Sequence, residues 1–228
     1  VWVSDSGVVV AAAPAGVGGT RRVAASVAGQ AGSTTTATSY DAPTVSSVHA
    51  DNSPSTGAVV VSLAGSSLGS HESSPQVRVQ ASLCWGSEWN SDSSVACGVR
   101  EGVGAGNRVS VSVGCHVSTV SGAVSYDSPV LSSSATLNTP TTGMVPVTAT
   151  GSQIGMASHS QTTRIGGTSV IASLWRSDSA ILCTTEPGAG ASLSVAASVG
   201  RQTGSTTSVY TYDAGAVSSG LSSNAAGT

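Results

Sequence analysis

The sequence contains no phenylalanine, and none of its eight basic residues is a lysine. Only 8% of the 228 residues are charged, the formal net charge is -3, and the arginines are scattered. A nucleic-acid binder neutralises phosphates with a basic face, and this chain supplies none, so that class is excluded. Long apolar runs are missing as well, which leaves no membrane-spanning helix in this segment. No stretch keeps the 3.6-residue apolar spacing of an amphipathic helix. The four cysteines (Cys84, Cys97, Cys115 and Cys183) form no Cys-x-x-Cys pair, and no histidine stands at ligand spacing from them. A zinc site is not expected, nor any other metal or cofactor. The chain also opens without Met or a leader pattern, so Val1 reads as the edge of a processed or longer polypeptide.

What remains is Ala, Val, Gly, Ser and Thr. Short β-branched side chains mixed with hydroxyls suit half-buried strands. Cysteines without metal partners read as disulfides, which points to an extracellular or cell-surface location.

The wording of the chain repeats. Trp-x-Ser-Asp-Ser occurs at Trp2, Trp89 and Trp175, and a Tyr-Asp pair at Tyr40, Tyr126 and Tyr212, the latter 86 residues apart. Gly-Ser-x-aliphatic-Gly appears at Gly65 and Gly151, again 86 apart. Landmarks sharing one period define an internal repeat. The aspartates follow the same period: Asp5, Asp92 and Asp178 within the first motif, Asp41, Asp127 and Asp213 after the tyrosines, with only Asp51 outside. One active site needs one set of carboxylates, so periodic ones read as turn-formers that bond nearby amides. The chain divides into residues 1–41 (a unit's second half), complete units at 42–127 and 128–213, and residues 214–228, the first strand of a further unit.

Alternation places strands within the unit. Ala58 to Gly65 and Met144 to Gly151 form one, with Pro146 suggesting an edge or a bulge. Gln76 to Trp85 reads as a single second strand. Ser94 to Val99 and Ala180 to Thr185 form a third, and Asn107 to Gly114 alternates Val with Ser, one face buried and one wet. Gly, Pro and Ser clusters separate them at the spacing of a β-sandwich.

These features, in this order, resemble the IPT/TIG family of immunoglobulin-like domains. The glycine strand-turn reads VSLAGSSLG (Val61 to Gly69) and VTATGSQIG (Val147 to Gly155). A strand ending at Cys84, a run to Cys97, a Gly-rich loop, an alternating strand and an aromatic close follow. The resemblance implies an all-β chain of tandem head-to-tail sandwiches and a Cys84–Cys97 disulfide. Leu68 and Ile154 stand where the family usually has an aromatic, Val170 stands where Cys84 does, and Val10 matches Cys97 in the first partial unit. Cys115 and Cys183 are left over, to pair with each other, to pair between chains, or to stay as buried thiols.

Several functional readings compete. His49, His71, His116 and His159 share no constellation, no Gly-x-Ser-x-Gly elbow occurs, and the Gly-rich loops precede no helix, so catalysis and phosphate binding are not expected. Calcium needs several carboxylates, and each junction offers one, Asp41 or Asp127. Both ends of the chain lie inside repeats, as in a slice of a longer array or in molecules whose partial units complete each other. The favoured expectation is an extracellular structural rod that assembles head-to-tail with copies of itself. The alternative is a ligand-binding or adhesive ectodomain segment, for which Trp85 and the Arg21-Arg22 pair are the candidates, although Trp85 next to Cys84 suits packing near the bridge. No Asn meets the N-glycosylation rule, whereas outward Ser and Thr such as Ser33 to Ser39 could carry O-linked glycans, visible as excess intact mass.

Overall fold

The computed structural model describes residues 1–49, 52–70, 73–135 and 138–218. Asp51, His71 and residues 219–228 lie outside the described residues, as does the side chain of Trp2. The described chain is all-β without a helix, and it divides into two units, residues 1–127 and 128–228.

The first unit holds twelve strands. Four belong to residues 1–41: β1 (Trp2–Ser4) pairs with β2 (Gly7–Val8), and β3 (Arg21–Val27) with β4 (Gln30–Thr38). The rest form a two-sheet sandwich. β5 (Thr44–His49), β6 (Val60–Ser66), β10 (Ser94–Gly98) and β9 (Trp85–Ser91) make one sheet, in the order β5-β6-β10-β9. β12 (His116–Val124), β11 (Asn107–Val113), β7 (Gln76–Val79) and β8 (Ser82–Leu83) make the other, in the order β12-β11-β7-β8. Alternation decides what lies between them. Val61 and Leu63 of β6, Val95 and Cys97 of β10, and Val109, Val111 and Val113 of β11 are all buried in one cluster. Each such side chain contributes roughly 1.5–3 kcal/mol on leaving water.

The second unit repeats the plan. β13 (Val130–Ser134), β15 (Pro146–Ser152), β19 (Ala180–Thr184) and β18 (Ala172–Ser177) form one sheet. The other runs β14 (Asn138–Thr139), β21 (Gln202–Tyr212), β20 (Leu193–Val199), β16 (Thr162–Ile165) and β17 (Thr168–Ser169). Val147, Ile154, Ile181, Val195 and Tyr210 are buried within it.

Two strand expectations are corrected. The run Gln76 to Trp85 is not one strand: it folds back at Gln80-Ala81, pairing Arg78 with Leu83, and a new strand starts at Trp85. Gln80 takes a left-handed φ of 52° to make that turn. Pro146 lies on no edge strand, since β15 runs between β13 and β19. Pro146 is instead the first residue of its strand, where a missing N–H disturbs the ladder least.

Candidate functional site

The periodic residues form a structural frame. Each tyrosine sits in a corner built by the Gly-rich loop upstream. The Tyr40, Tyr126 and Tyr212 hydroxyls donate to the carbonyls of Pro14, Arg100 and Glu186, at 2.6, 2.9 and 2.9 Å. Their rings lie on Gly16, Gly102 and Gly188, where a Cβ would stand 2.5–2.7 Å from the nearest ring atom. Their amides donate to Gly18, Gly104 and Gly190. The Gly-x-Gly loops are thus seats for tyrosine rings. An 86-residue spacing of Gly16, Gly102 and Gly188 was a legible sign of this.

Two of the Ser-Asp-Ser aspartates reach beyond their own turn. Asp92 Oδ1 accepts from the Gly69 amide at 2.9 Å, and Asp178 Oδ1 from the Gly155 amide at 2.8 Å. Each thereby ties its turn to the glycine turn of the facing motif. The flanking serines make the local bonds, with Ser93 N–H donating to Ser91 Oγ at 3.3 Å and Ser179 N–H to Ser177 Oγ at 3.2 Å. Asp5 is exposed, and among the described residues its carboxylate meets no partner. Asp127 and Asp213 donate their amides to Ser53 and Thr139, and Asp213 also accepts from the Asn138 side chain, while Asp41 is exposed. Trp89 packs against the first core, and Trp175 Nε1 donates to Gly155 O at 2.9 Å.

The cysteines divide. Cys84 and Cys97 are disulfide-bonded, 13 residues apart. Cys115 and Cys183 are free thiols. Cys183 is buried in the second unit, and burial pushes its thiol pKa up. Cys115 is exposed, contrary to the buried alternative, and accepts from the Gly19 amide at 3.3 Å. Of the Arg21-Arg22 pair, both exposed, Arg21 donates to the Val17 carbonyl. Among the described residues, no three His, Cys, Asp or Glu side chains could jointly hold a metal ion.

Against this periodic frame, one surface is singular. Val95 and Cys97 point into the core, so Ala96 and Gly98 face outward on the β5-β6-β10-β9 sheet. Gly98 pairs with Val60 on one side and Trp85 on the other. The Trp85 ring lies on Gly98, where a Cβ would fall 2.2 Å from it, and its Nε1 donates to Val99 O at 3.3 Å. The ring is 46% exposed. In the next row Ala96 lies between Ser62 and Glu88, and Ser62 pairs with His49. Arg100 borders the patch, its Nε donating to Leu83 O at 2.8 Å. The second unit keeps none of this: Thr184 stands where Gly98 does, between Pro146 and Ala172.

The sequence profile of the IPT/TIG domain matches residues 43–127 and 129–212. No curated protein matches the chain. Among solved structures, a surface glycan-binding protein of Prevotella bryantii is similar over 76% of this chain and 42% of its own, at 13% identity and a TM-score of 0.52. The extracellular region of plexin A4 aligns over 75% of this chain and 18% of its own, at 19% identity and a TM-score of 0.38. The chain thus spans less than half the length of either. Two consecutive profile matches cover most of the sequence, and the chain belongs to the IPT/TIG family of immunoglobulin-like domains.

Proposed function

We propose that the chain is a recognition segment of an extracellular or cell-surface protein, an adhesive or ligand-binding ectodomain built from tandem TIG units and not an enzyme. One observation carries the reading. A repeat explains whatever recurs at its period, and the platform of Trp85 on Gly98 occurs in one unit only. An indole held flat by a glycine beneath it and a hydrogen bond at its edge is a rigid aromatic anchor. Val60, 57% exposed, extends the platform, and Glu88, Ser62 and His49 supply polar groups in the adjoining row. The disulfide agrees with an oxidising compartment.

The test compares the wild-type chain with Trp85→Ala, both immobilised, against a panel of surface polysaccharides and extracellular matrix proteins. A ligand whose affinity falls at least about tenfold in the variant supports the reading. Equal capture by both chains, or no capture by either, counts against it.

A second reading, head-to-tail assembly of copies into a filament, is favoured by a different observation. The apolar face of the hairpin β3-β4 is uncovered, with Val23 41% and Val27 69% exposed. Electron microscopy of the dilute native protein separates the readings: filaments with an axial repeat favour assembly, and separate particles favour the ectodomain segment.

A further inference from the structure

The surface peculiar to the first unit extends beyond Trp85 and Gly98. At a shift of 86 residues, Ile171 stands for Trp85, Thr184 for Gly98, Leu174 for Glu88, Leu182 for Ala96 and Ala135 for His49. The ladders agree with that correspondence, since Leu174 pairs with Leu182 as Glu88 does with Ala96. The second unit thus carries leucines where the first has a carboxylate and a small floor residue, and Leu174 is 54% exposed. The ring and the polar row beside it depart from the repeat together.

This face has small residues along its centre and larger functional ones at its margins. Val61, Leu63, Val95 and Cys97 enter the core, so β10 turns Ser94, Ala96 and Gly98 outward, and β6 turns Val60, Ser62 and Ala64 outward. Trp85 and Glu88 come from β9 on one side. His49 comes from β5 on the other, its Nε2 3.5 Å from Ser47 Oγ. Glu88, Ser62 and His49 are all exposed. Their row lies about 7 Å along the strands from the row of Trp85, two residues at about 3.4 Å each. Trp85 and Gly98 each directly follow a bridged cysteine, and the two bridged Cα atoms are 5.8 Å apart. The backbone beneath the ring is therefore fixed before a ligand arrives, which lowers the ordering cost of binding.

Such a face selects among ligands. A pyranose ring has an apolar side of C–H groups and a rim of hydroxyls. Its C–H side is drawn to the electron-rich face of an indole, and its rim needs hydrogen-bonding groups close by. A flat ring with a polar row next to it meets both needs. A protein partner is anchored by several apolar side chains seated in packed pockets. Here a single indole stands on an open floor of Gly98, Ala96 and Ser62. Charge narrows the class further. Glu88 is the carboxylate of the polar row, and the Arg100 guanidinium at the border gives its Nε to Leu83 O. Among the described residues the face holds no cluster of cations to clamp a polyanion.

We propose that this sheet face binds a neutral glycan. One pyranose ring stacks on Trp85, and the hydroxyls of the adjoining sugar bond Glu88, Ser62 and His49 above Ala96. The Glu88 carboxylate accepts from neighbouring hydroxyls, while Ser62 Oγ both donates and accepts. Glycan binding rests on the recognition reading above and names its ligand class.

Affinity electrophoresis of the full chain tests it, through gels holding a β-glucan, a galactomannan or dextran, with polygalacturonate and heparin as anionic counterparts. The variants come from the repeat itself. Trp85→Ile, Glu88→Leu and His49→Ala install what the second unit carries at the same positions, and all three residues are exposed. At least one neutral polysaccharide should retard the wild-type chain. Trp85→Ile should weaken that binding at least about tenfold, and Glu88→Leu about fivefold. Retardation by the anionic gels alone overturns the neutral class. Neutral-glycan binding that Glu88→Leu and His49→Ala leave unchanged overturns the role of the polar row. Trp85-dependent capture of an extracellular matrix protein, with neutral gels treating wild type and Trp85→Ile alike, sinks glycan binding and leaves the recognition reading in place. If Trp85→Ile alters neither retardation nor capture, both fall.

Discussion

At the scale of single residues, the tyrosine corner carries the most consequence per atom. Tyr126 is buried in the first unit, and its hydroxyl satisfies the Arg100 carbonyl at 2.9 Å. Tyr126→Phe leaves the ring on Gly102 and removes the bond to Arg100 O. The expected cost is about 1–2 kcal/mol of stability, read from the midpoint of urea unfolding. Burial, and secondarily the charge of Glu101, holds the Tyr126 phenol above its usual pKa of about 10. The fold therefore favours the neutral phenol. Its contribution is complete below pH 10, and it is lost as pH climbs from there through the raised folded value. The phenylalanine variant should lose part of this alkaline destabilisation, so the gap between the two proteins narrows as pH rises. A gap that stays constant across this range would show that the hydroxyl does not titrate with unfolding.

At the scale of elements, the aspartate ties decide how two turns meet. Asp178→Ala frees the Gly155 amide, which bonds Oδ1 at 2.8 Å, and should cost about 1–3 kcal/mol in chemical denaturation. Asp5→Ala should cost nothing measurable, because Asp5 is exposed and, among the described residues, meets no partner. Equal losses from both changes would mean that the tie is unimportant. Three copies of one motif thus predict unequal effects, since the facing glycine turn is present for Asp92 and Asp178 only. The repeat, the sandwich and the Tyr-Asp landmarks were legible in the sequence because they recur. The hairpin at Gln80-Ala81 was not, since apolar alternation runs unbroken from Val77 to Leu83 and no turn residue marks the reversal. Aligning the units would have exposed it, because Gly166-Gly167 stands at the same place in the second unit. The Asn-x-Pro runs at Asn52 and Asn138 were equally readable as a pair 86 apart. What no pattern could give was the platform: Trp85 and Gly98 depart from the repeat together, and only their pairing across a bulged register puts the ring on the glycine.

At the scale of the molecule, each unit has its own core, but only the first carries a disulfide. The bridge closes a loop of 13 residues, so reducing it should release roughly 3 kcal/mol of stability by the chain-entropy estimate. The second unit holds its sandwich with Val170 and Cys183 at the two positions, and reductant gives it nothing to lose. The two free thiols make the difference measurable. Exposed Cys115 reacts with a maleimide at once, whereas Cys183 is 1% exposed and its burial-raised pKa keeps thiolate scarce. Cys183 therefore becomes reactive only when the second unit opens, and its labelling across a urea series, read by mass, reports the stability of that unit alone. With Cys84 and Cys97 both replaced by Ala, the fluorescence transition of the first unit should move to lower urea. The labelling midpoint of Cys183 should stay where it is. A midpoint that shifts by the same amount would mean that the two units unfold as one body, and the repeat would then be cooperative across its junction.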